Sequence, residues 1–277
     1  MLSMNEVRTL ATGLDHPEGV AVGPDGMLYA GGEAGQVYRV DPVDGSVEQI
    51  ATVTGGFMLG LCLDAAGAIY VCDAGNASVH RVSPDGAVET WCDSADGGPL
   101  VCPNWPVFAA DGSLYVSDSG SEDTTRVDGR VHRVPAGGGE AEVLDLPPLH
   151  FPNGMAIMAD GTLVVLESFT PRLVAVRAGG LEVLAELPET VPDGVACDAE
   201  GGFVVSCYYP NHVYRVPAGG GPELLLHDTF GTQFPMPTNA CFFGDGLGSV
   251  AIASLGGHTL SAVELGLAGA PLHYPAA

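Results

Sequence analysis

The sequence predicts an all-β protein, a six-bladed β-propeller with four antiparallel strands per blade and a ring closed by the N-terminal strand. Two signatures, each present six times, and one periodicity carry this reading. The first signature is an apolar residue, two variable residues and valine: VYRV at 37, VHRV at 79 and 131, LVAV at 173, VYRV at 213 and LSAV at 260. The second is a glycine turn ahead of each of them: PDG at 24, AAG at 65, ADG at 110 and 159, AEG at 199 and GDG at 244. Around them alternating and β-branched residues dominate, and no stretch has helical periodicity.

Each repeat reads as four strands in order. A short apolar strand such as GVAV comes first. The glycine turn follows, where glycine tolerates positive φ and suits a hairpin. Segments such as LYAGG, IYVCD and LYVSD form the second strand, and the VYRV-type segment forms the third. After a further glycine turn comes the fourth: SVEQIA, AVETWC, AEVLDL, LEVLAEL or ELLLHD. NEVRTLATGL resembles such a fourth strand but precedes any first strand, so it is predicted to complete the last blade and remove its open edge. No linker or composition shift divides residues 1–277, which reads as a single propeller domain.

Composition excludes several functions. Net charge is −25, from 9 basic residues, all arginine, against 34 acidic ones. Nucleic acid and anionic membrane surfaces are therefore not expected as partners. Without lysine there is no Schiff-base chemistry on a lysine side chain. No apolar run reaches the roughly 18 residues of a membrane helix. The N-terminus lacks the apolar core of a signal peptide, and the chain has 7 cysteines with no C-x-x-C pair. These features predict a cytoplasmic location with reduced thiols, most of them small core residues. Either a monomer or a dimer is compatible. Glycine runs such as PAGGGE and PAGGGP are hairpin turns, not phosphate loops, and no nucleophile elbow is present.

The chemistry lies in a recurring frame. HPEGVAVGPDG from His16, FPNGMAIMADG from Phe151 and VPDGVACDAEG from Val191 share proline, a polar residue, glycine, alternating apolar residues and a turn. Aligned over all six repeats, the polar slot holds Glu18, Leu59, Asn104, Asn153, Asp193 and Thr238. The slot is placed just ahead of the innermost strand, so six equivalent positions converge on one mouth of the central channel. Two carboxylates and two carboxamides form an all-oxygen set that suits a hard divalent cation: calcium first, with magnesium, manganese or zinc as alternatives. The other reading is that these side chains cap strands or form Asx-turns beside the prolines.

The repeats and this slot resemble the senescence marker protein/gluconolactonase/regucalcin-like family of six-bladed propellers, from about residue 14 to 265. FPNGMAIMADGTLVV, VPDGVACDAEGGFVVS and MPTNACFFG carry the resemblance most specifically. It implies one catalytic divalent metal held by Glu18, Asn104, Asn153 and Asp193. At LVCPNWPVF the chain departs from sugar-lactone hydrolases of the family, which commonly have an arginine before the first asparagine and an acid after it. HPEGVAVGPDG and VVLESF also resemble strictosidine-synthase-like propellers, which often act without metal.

The implied function is metal-dependent hydrolysis of a lactone or related ester, a small-molecule substrate. Asp193 is the general-base candidate, with Glu18 a catalytic, charge-balancing ligand. Phe57, Leu59, Trp105, Phe169, Tyr208, Tyr209 and Thr238 are expected near the mouth as substrate contacts. His150 and His16 are acid/base candidates that loop solvation would equally explain. Asp73, Asp118 and Glu167, at second-strand ends, would support the ligands or satisfy loop amides. The competing functions are a strictosidine-synthase-like enzyme without metal and a non-catalytic metal- or ligand-binding propeller.

Overall fold

Blades 1 to 5 are each one four-stranded antiparallel sheet whose spatial order is its sequence order, and blade 6 takes its outer strand from the start of the chain. The computed structural model describes residues 1–121 and 123–276. Blade 1 comprises Val20–Val22, Leu28–Gly31, Gln36–Val40 and Val47–Thr52; blade 2, Met58–Leu63, Ile69–Asp73, Ser78–Val82 and Val88–Cys92. Blade 3 comprises Pro103–Phe108, Leu114–Asp118, Arg130–Val134 and Glu142–Val143; blade 4, Pro152–Ile157, Leu163–Glu167, Arg172–Arg177 and Gly180–Glu186. Blade 5 comprises Val191–Cys197, Phe203–Tyr209, His212–Val216 and Glu223–His227. Blade 6 takes Pro237–Phe243, Ser249–Ser254 and Thr259–Glu264 from the end of the chain and Arg8–Thr12 from its beginning.

The glycine turns of blades 1 to 5 are hairpins of one kind. Gly26, Gly67, Gly112, Gly161 and Gly201 have φ between +77° and +84°, a region that L side chains rarely enter, and each donates its N–H to the carbonyl three residues back; in blade 6 a 3-10 turn over Asp245–Leu247 takes this place. Ring closure is antiparallel pairing of Arg8 with Ala262, Thr9 with Ser261, Ala11 with Leu260 and Thr12 with Thr259. Blade 3 departs from the pattern: its outer strand has only two residues, and a small hairpin of Ser94–Ala95 and Gly98–Pro99 bridges to Ala141 beside it.

The hydrophobic core is a ring. Six buried clusters occupy the six interfaces between neighbouring blades. Leu10 and Ala11 of the closing strand belong to the cluster shared by blades 6 and 1. Every blade therefore buries both faces against neighbours, which explains the nearly continuous apolar runs of the two inner strands.

Residues 268–275 cross the end of the channel away from the slot. Ala199 N–H donates to Ala268 O and Ala270 N–H to Cys197 O in blade 5. Tyr274 Oη donates to Val22 O in blade 1 at 2.9 Å, and Ala65 N–H to Pro275 O in blade 2. Blades 5 and 2 face one another across a six-membered ring, so the tail spans the axis. Among the described residues no helix is long and apolar enough to cross a membrane.

Leu10 tests the closure. It is buried, and truncation of such a leucine to alanine costs about 2–5 kcal/mol. Leu10→Ala should lower unfolding stability by that amount in chemical denaturation, whereas Val43→Ala, at an exposed loop position, should change it by less than about 0.5 kcal/mol.

Candidate active site

A β-bulge makes the slot. In blades 2 to 6 the pairing of the inner with the second strand skips at the slot residue. Pro103 pairs with Asp118 and Trp105 with Ser117, leaving Asn104 unpaired; Pro192 pairs with Cys207 and Gly194 with Ser206, leaving Asp193 unpaired. Leu59, Asn153 and Thr238 lie in the same skips. The expectation that the slot precedes the strand is thus corrected: only Glu18 does so, and the other five sit inside it. A bulge re-aims one side chain out of the alternating pattern, here toward the axis. The glycine that follows has a separate cause. A Cβ on Gly154 would lie 2.4 Å from Asp193 O, and one on Gly19 would lie 2.4 Å from Leu59 O. Glycine there lets the slot backbone of the next blade approach.

All six slot residues line one cavity of about 820 Å³. Glu18, Asn104, Asn153 and Asp193 are 3–6% exposed. Glu18 Oε2, Asn104 Oδ1, Asn153 Oδ1 and Asp193 Oδ1 are buried and have no hydrogen-bond partner. Such orphans cost about 1–3 kcal/mol each, more when charged.

The carboxamide orientation is set by two serines. Ser119 Oγ donates to Pro152 O at 2.9 Å and Ser168 Oγ donates to Pro192 O at 2.7 Å. A carbonyl only accepts, so each hydroxyl proton is committed to the next blade. Each serine can then only accept from its asparagine, and it does: Asn104 Nδ2 to Ser119 Oγ at 3.0 Å, Asn153 Nδ2 to Ser168 Oγ at 3.3 Å. Both amide oxygens are left facing the cavity. Thr238 is used differently, its hydroxyl donating to Glu18 O at 2.6 Å.

Burial pushes the Glu18 carboxyl up to about 8. Asp193 is raised well above its ordinary value by burial and by the nearby Glu18 charge. One unpartnered oxygen from each of two buried acids and two carboxamides is a donor set that suits a divalent cation; strand capping, the alternative reading, would have given these oxygens partners.

The second-strand acids do satisfy amides. Asp118 accepts from Val101 N, Cys102 N and Gly120 N, and Asp73 from Phe57 N and Asn76 N. Glu167 accepts from His150 N and pairs with Arg172. They fasten the loops that carry the slot.

Phe57, Leu59, Phe169, Tyr208 and Thr238 line the cavity as expected. Trp105 does not. It follows the bulge and points sideways, buried with Val131, Leu149 and Met155, its ring lying where a Cβ on Gly60 would be. His150 is also outside the lining. Its Nε2–H donates to Thr124 O at 2.7 Å and its Nδ1 meets Thr170 Oγ1 at 3.1 Å, so both ring nitrogens are occupied. Tyr209 is exposed, and His16 lies in a separate cluster. Sequence reasoning missed Cys102, Phe151, Val191 and Leu255. Three of these share a signal with Phe57: each stands two residues before a slot residue.

Comparison with known proteins follows this geometry. The profile described as SMP-30/Gluconolactonase/LRE-like region matches residues 33–256. The chain belongs to the SMP-30/gluconolactonase/LRE-like family. A strictosidine synthase-like, N-terminal profile matches residues 3–40, the closing strand and the start of blade 1. Solved members and neighbours of the SMP-30/gluconolactonase fold superpose over nearly the whole chain. A gluconolactonase from Xanthomonas campestris is 22% identical, with 94% of this chain and 89% of that one covered and a TM-score of 0.78. A calcium-binding regucalcin from Agrobacterium tumefaciens str. C58 is 16% identical over 97% and 96%, with a TM-score of 0.76. A luciferin-regenerating enzyme is 17% identical over 95% and 97%, with a TM-score of 0.75. A sequence comparison with curated proteins finds no match.

Two predictions follow from the oxygen cluster. Ser119→Ala frees the Asn104 amide to rotate and should weaken calcium binding about 10–100-fold in a titration, the usual effect of removing a ligand's support. The second concerns pH. A carboxyl with a raised folded pKa holds its proton in the folded chain, so stability falls as pH climbs from the unfolded to the folded value. For Glu18 that window runs from 4.5 to about 8. Chelator-treated protein should lose melting temperature across it, and Asp193→Asn, which removes the neighbouring charge, should flatten the loss.

Proposed function

We propose that the protein is a metal-dependent hydrolase of lactones or related esters. The observation that carries this is the set of four buried, unpartnered oxygens at the base of one open cavity. Glu18, Asn104, Asn153 and Asp193 would hold one divalent cation, calcium by the hardness of the donors. When bound, such a cation polarises a carbonyl oxygen and acidifies a water. Asp193 would accept the proton of the attacking water and return it to the leaving oxygen. Glu18 supplies the second negative charge, and the two asparagines, held by Ser119 and Ser168, position without adding charge.

The cavity wall points to the rest of the substrate. Its upper lining is Phe57, Val101, Phe151, Phe169, Val191 and Leu255, and no arginine or histidine is part of it. With only acids as charged groups, it suits a neutral substrate carrying an apolar substituent. The family profile and the gluconolactonase likeness support a lactonase-type hydrolase. The strictosidine synthase-like match ends at residue 40 and includes none of Asn104, Asn153 or Asp193.

A panel of lactones and aryl esters, assayed with and without chelator, tests this. Activity should vanish with chelator and return with calcium; activity indifferent to chelation overturns the metal mechanism. Asp193→Asn should lower kcat about 10²–10⁴-fold, the usual span for a general base. A lactone with an alkyl chain should show a higher kcat/KM than gluconolactone, and the reverse order would overturn the apolar assignment.

A further inference from the structure

The seam where the ring closes carries a second group of ligand-type side chains. Asp15 and His16 follow the closing strand Arg8–Thr12 directly. His258 sits in the turn before Thr259–Glu264, the strand that the closing strand pairs with. One ligand atom from each of Asp15, His16 and His258 lies within 4.8 Å of the others. Glu33, from the blade 1 hairpin, joins them with Oε2 at 3.0 Å from His16 Nδ1. None of the four lines the central cavity.

His258 and Asp15 are held by contacts outside the group. His258 Nδ1 meets Leu14 O at 3.0 Å; a carbonyl only accepts, so Nδ1 carries the proton and Nε2 carries the lone pair. A backbone carbonyl on the far nitrogen is the usual support of a metal-binding histidine. Asp15 Oδ2 is engaged by Ala34 N–H at 3.2 Å and Gln36 Nε2 at 3.0 Å, which turns Oδ1 toward His16. His16 Nδ1 then faces two carboxylate oxygens, Asp15 Oδ1 at 3.1 Å and Glu33 Oε2 at 3.0 Å. One imidazole N–H at that position cannot serve both well. The two imidazole rings are in contact, centroids 4.3 Å apart, and His16 occupies a left-handed backbone position, φ +44°.

We infer that Asp15, His16, Glu33 and His258 form a second cation site, for zinc or a similar late first-row ion, that clasps the ring-closure seam. Two imidazoles with two carboxylates suit zinc, in contrast to the all-oxygen central set. Zinc bonds of about 2.0 Å place tetrahedral ligand atoms about 3.3 Å apart, close to the 3.1 Å and 3.0 Å that separate His16 Nδ1 from the Asp15 and Glu33 oxygens. The ion would join residues more than 240 positions apart in sequence, at the one blade built from both chain ends.

Calorimetric titration with zinc chloride of the Asp193→Ala protein, whose central site is disabled, tests the inference. We expect one zinc per chain with micromolar or tighter affinity, and a rise in melting temperature with zinc. Asp193→Ala/His258→Gln should bind zinc at least tenfold more weakly and lose the rise. His258 is exposed, so this variant is expected to fold, and circular dichroism checks it. Absence of zinc binding to Asp193→Ala, or equal binding with and without His258, overturns the inference. Both results are independent of whether lactones are hydrolysed.

Discussion

The structure is organised around two carboxylates buried at the axis of a ring. Glu18 and Asp193 come from blades 1 and 5 and have little exposure; burial raises both carboxyls, and the Glu18 charge raises Asp193 further. No cationic side chain is among the residues lining their cavity. An uncompensated buried pair of this kind is costly, so the site calls for a positive charge from outside the chain. The neutral oxygens of Asn104 and Asn153 point the same way, with their amide hydrogens turned outward to serines.

That arrangement depends on how identical backbones are made to present unlike side chains. In blades 2 to 6 a bulge at the slot takes one residue out of the ladder and aims it inward. In blades 1, 2, 4 and 5 glycine after the slot admits the neighbouring blade's slot carbonyl. Hydroxyls then tie blade to blade: Ser117 to Asn153 O, Ser119 to Pro152 O, Ser168 to Pro192 O, Ser206 to Thr238 O and Thr238 to Glu18 O. Each bond ends on the slot backbone or the proline before it. The slots of blades 4, 5, 6 and 1 are therefore each bonded to the preceding blade, and the bond to Glu18 O exists only because the ring is closed. Leu59 is the one apolar slot and Thr238 the one whose hydroxyl is already donated, so neither adds a free oxygen donor in the way the other four do.

One end of the channel is made for access and the other is crossed by the chain. Residues 268–275 run beneath the axis from blade 5 to blade 2. The opposite mouth is walled by apolar and aromatic residues two positions before the slots and just after the second strands. Acid and carboxamide oxygens at the base and an apolar wall above them give the cavity its polarity.

The sequence by itself determined the number of blades, their strand order, the closing strand and the slot. These follow from local signals: period-two alternation, a glycine with positive φ in every first turn, and a six-fold repeat that makes positions comparable. Glu18, Asn104, Asn153 and Asp193 were legible because the repeat converts sequence position into position around an axis. What lies between blades was decided only by the tertiary structure. Trp105 reads as a wall residue from its place beside Asn104, but the bulge leaves it facing the neighbouring blade, where it packs as core. His150 stands three residues before Asn153, yet its ring is claimed by Thr124 and Thr170 from separate loops. Ser119 and Ser168 look like ordinary strand-end serines until the next blade's proline carbonyl fixes which way their protons point. The His16 and His258 pair is separated by almost the whole chain and exists only once the ring is shut. Contacts of this kind depend on rotamers and on partners distant in sequence, which no local pattern encodes.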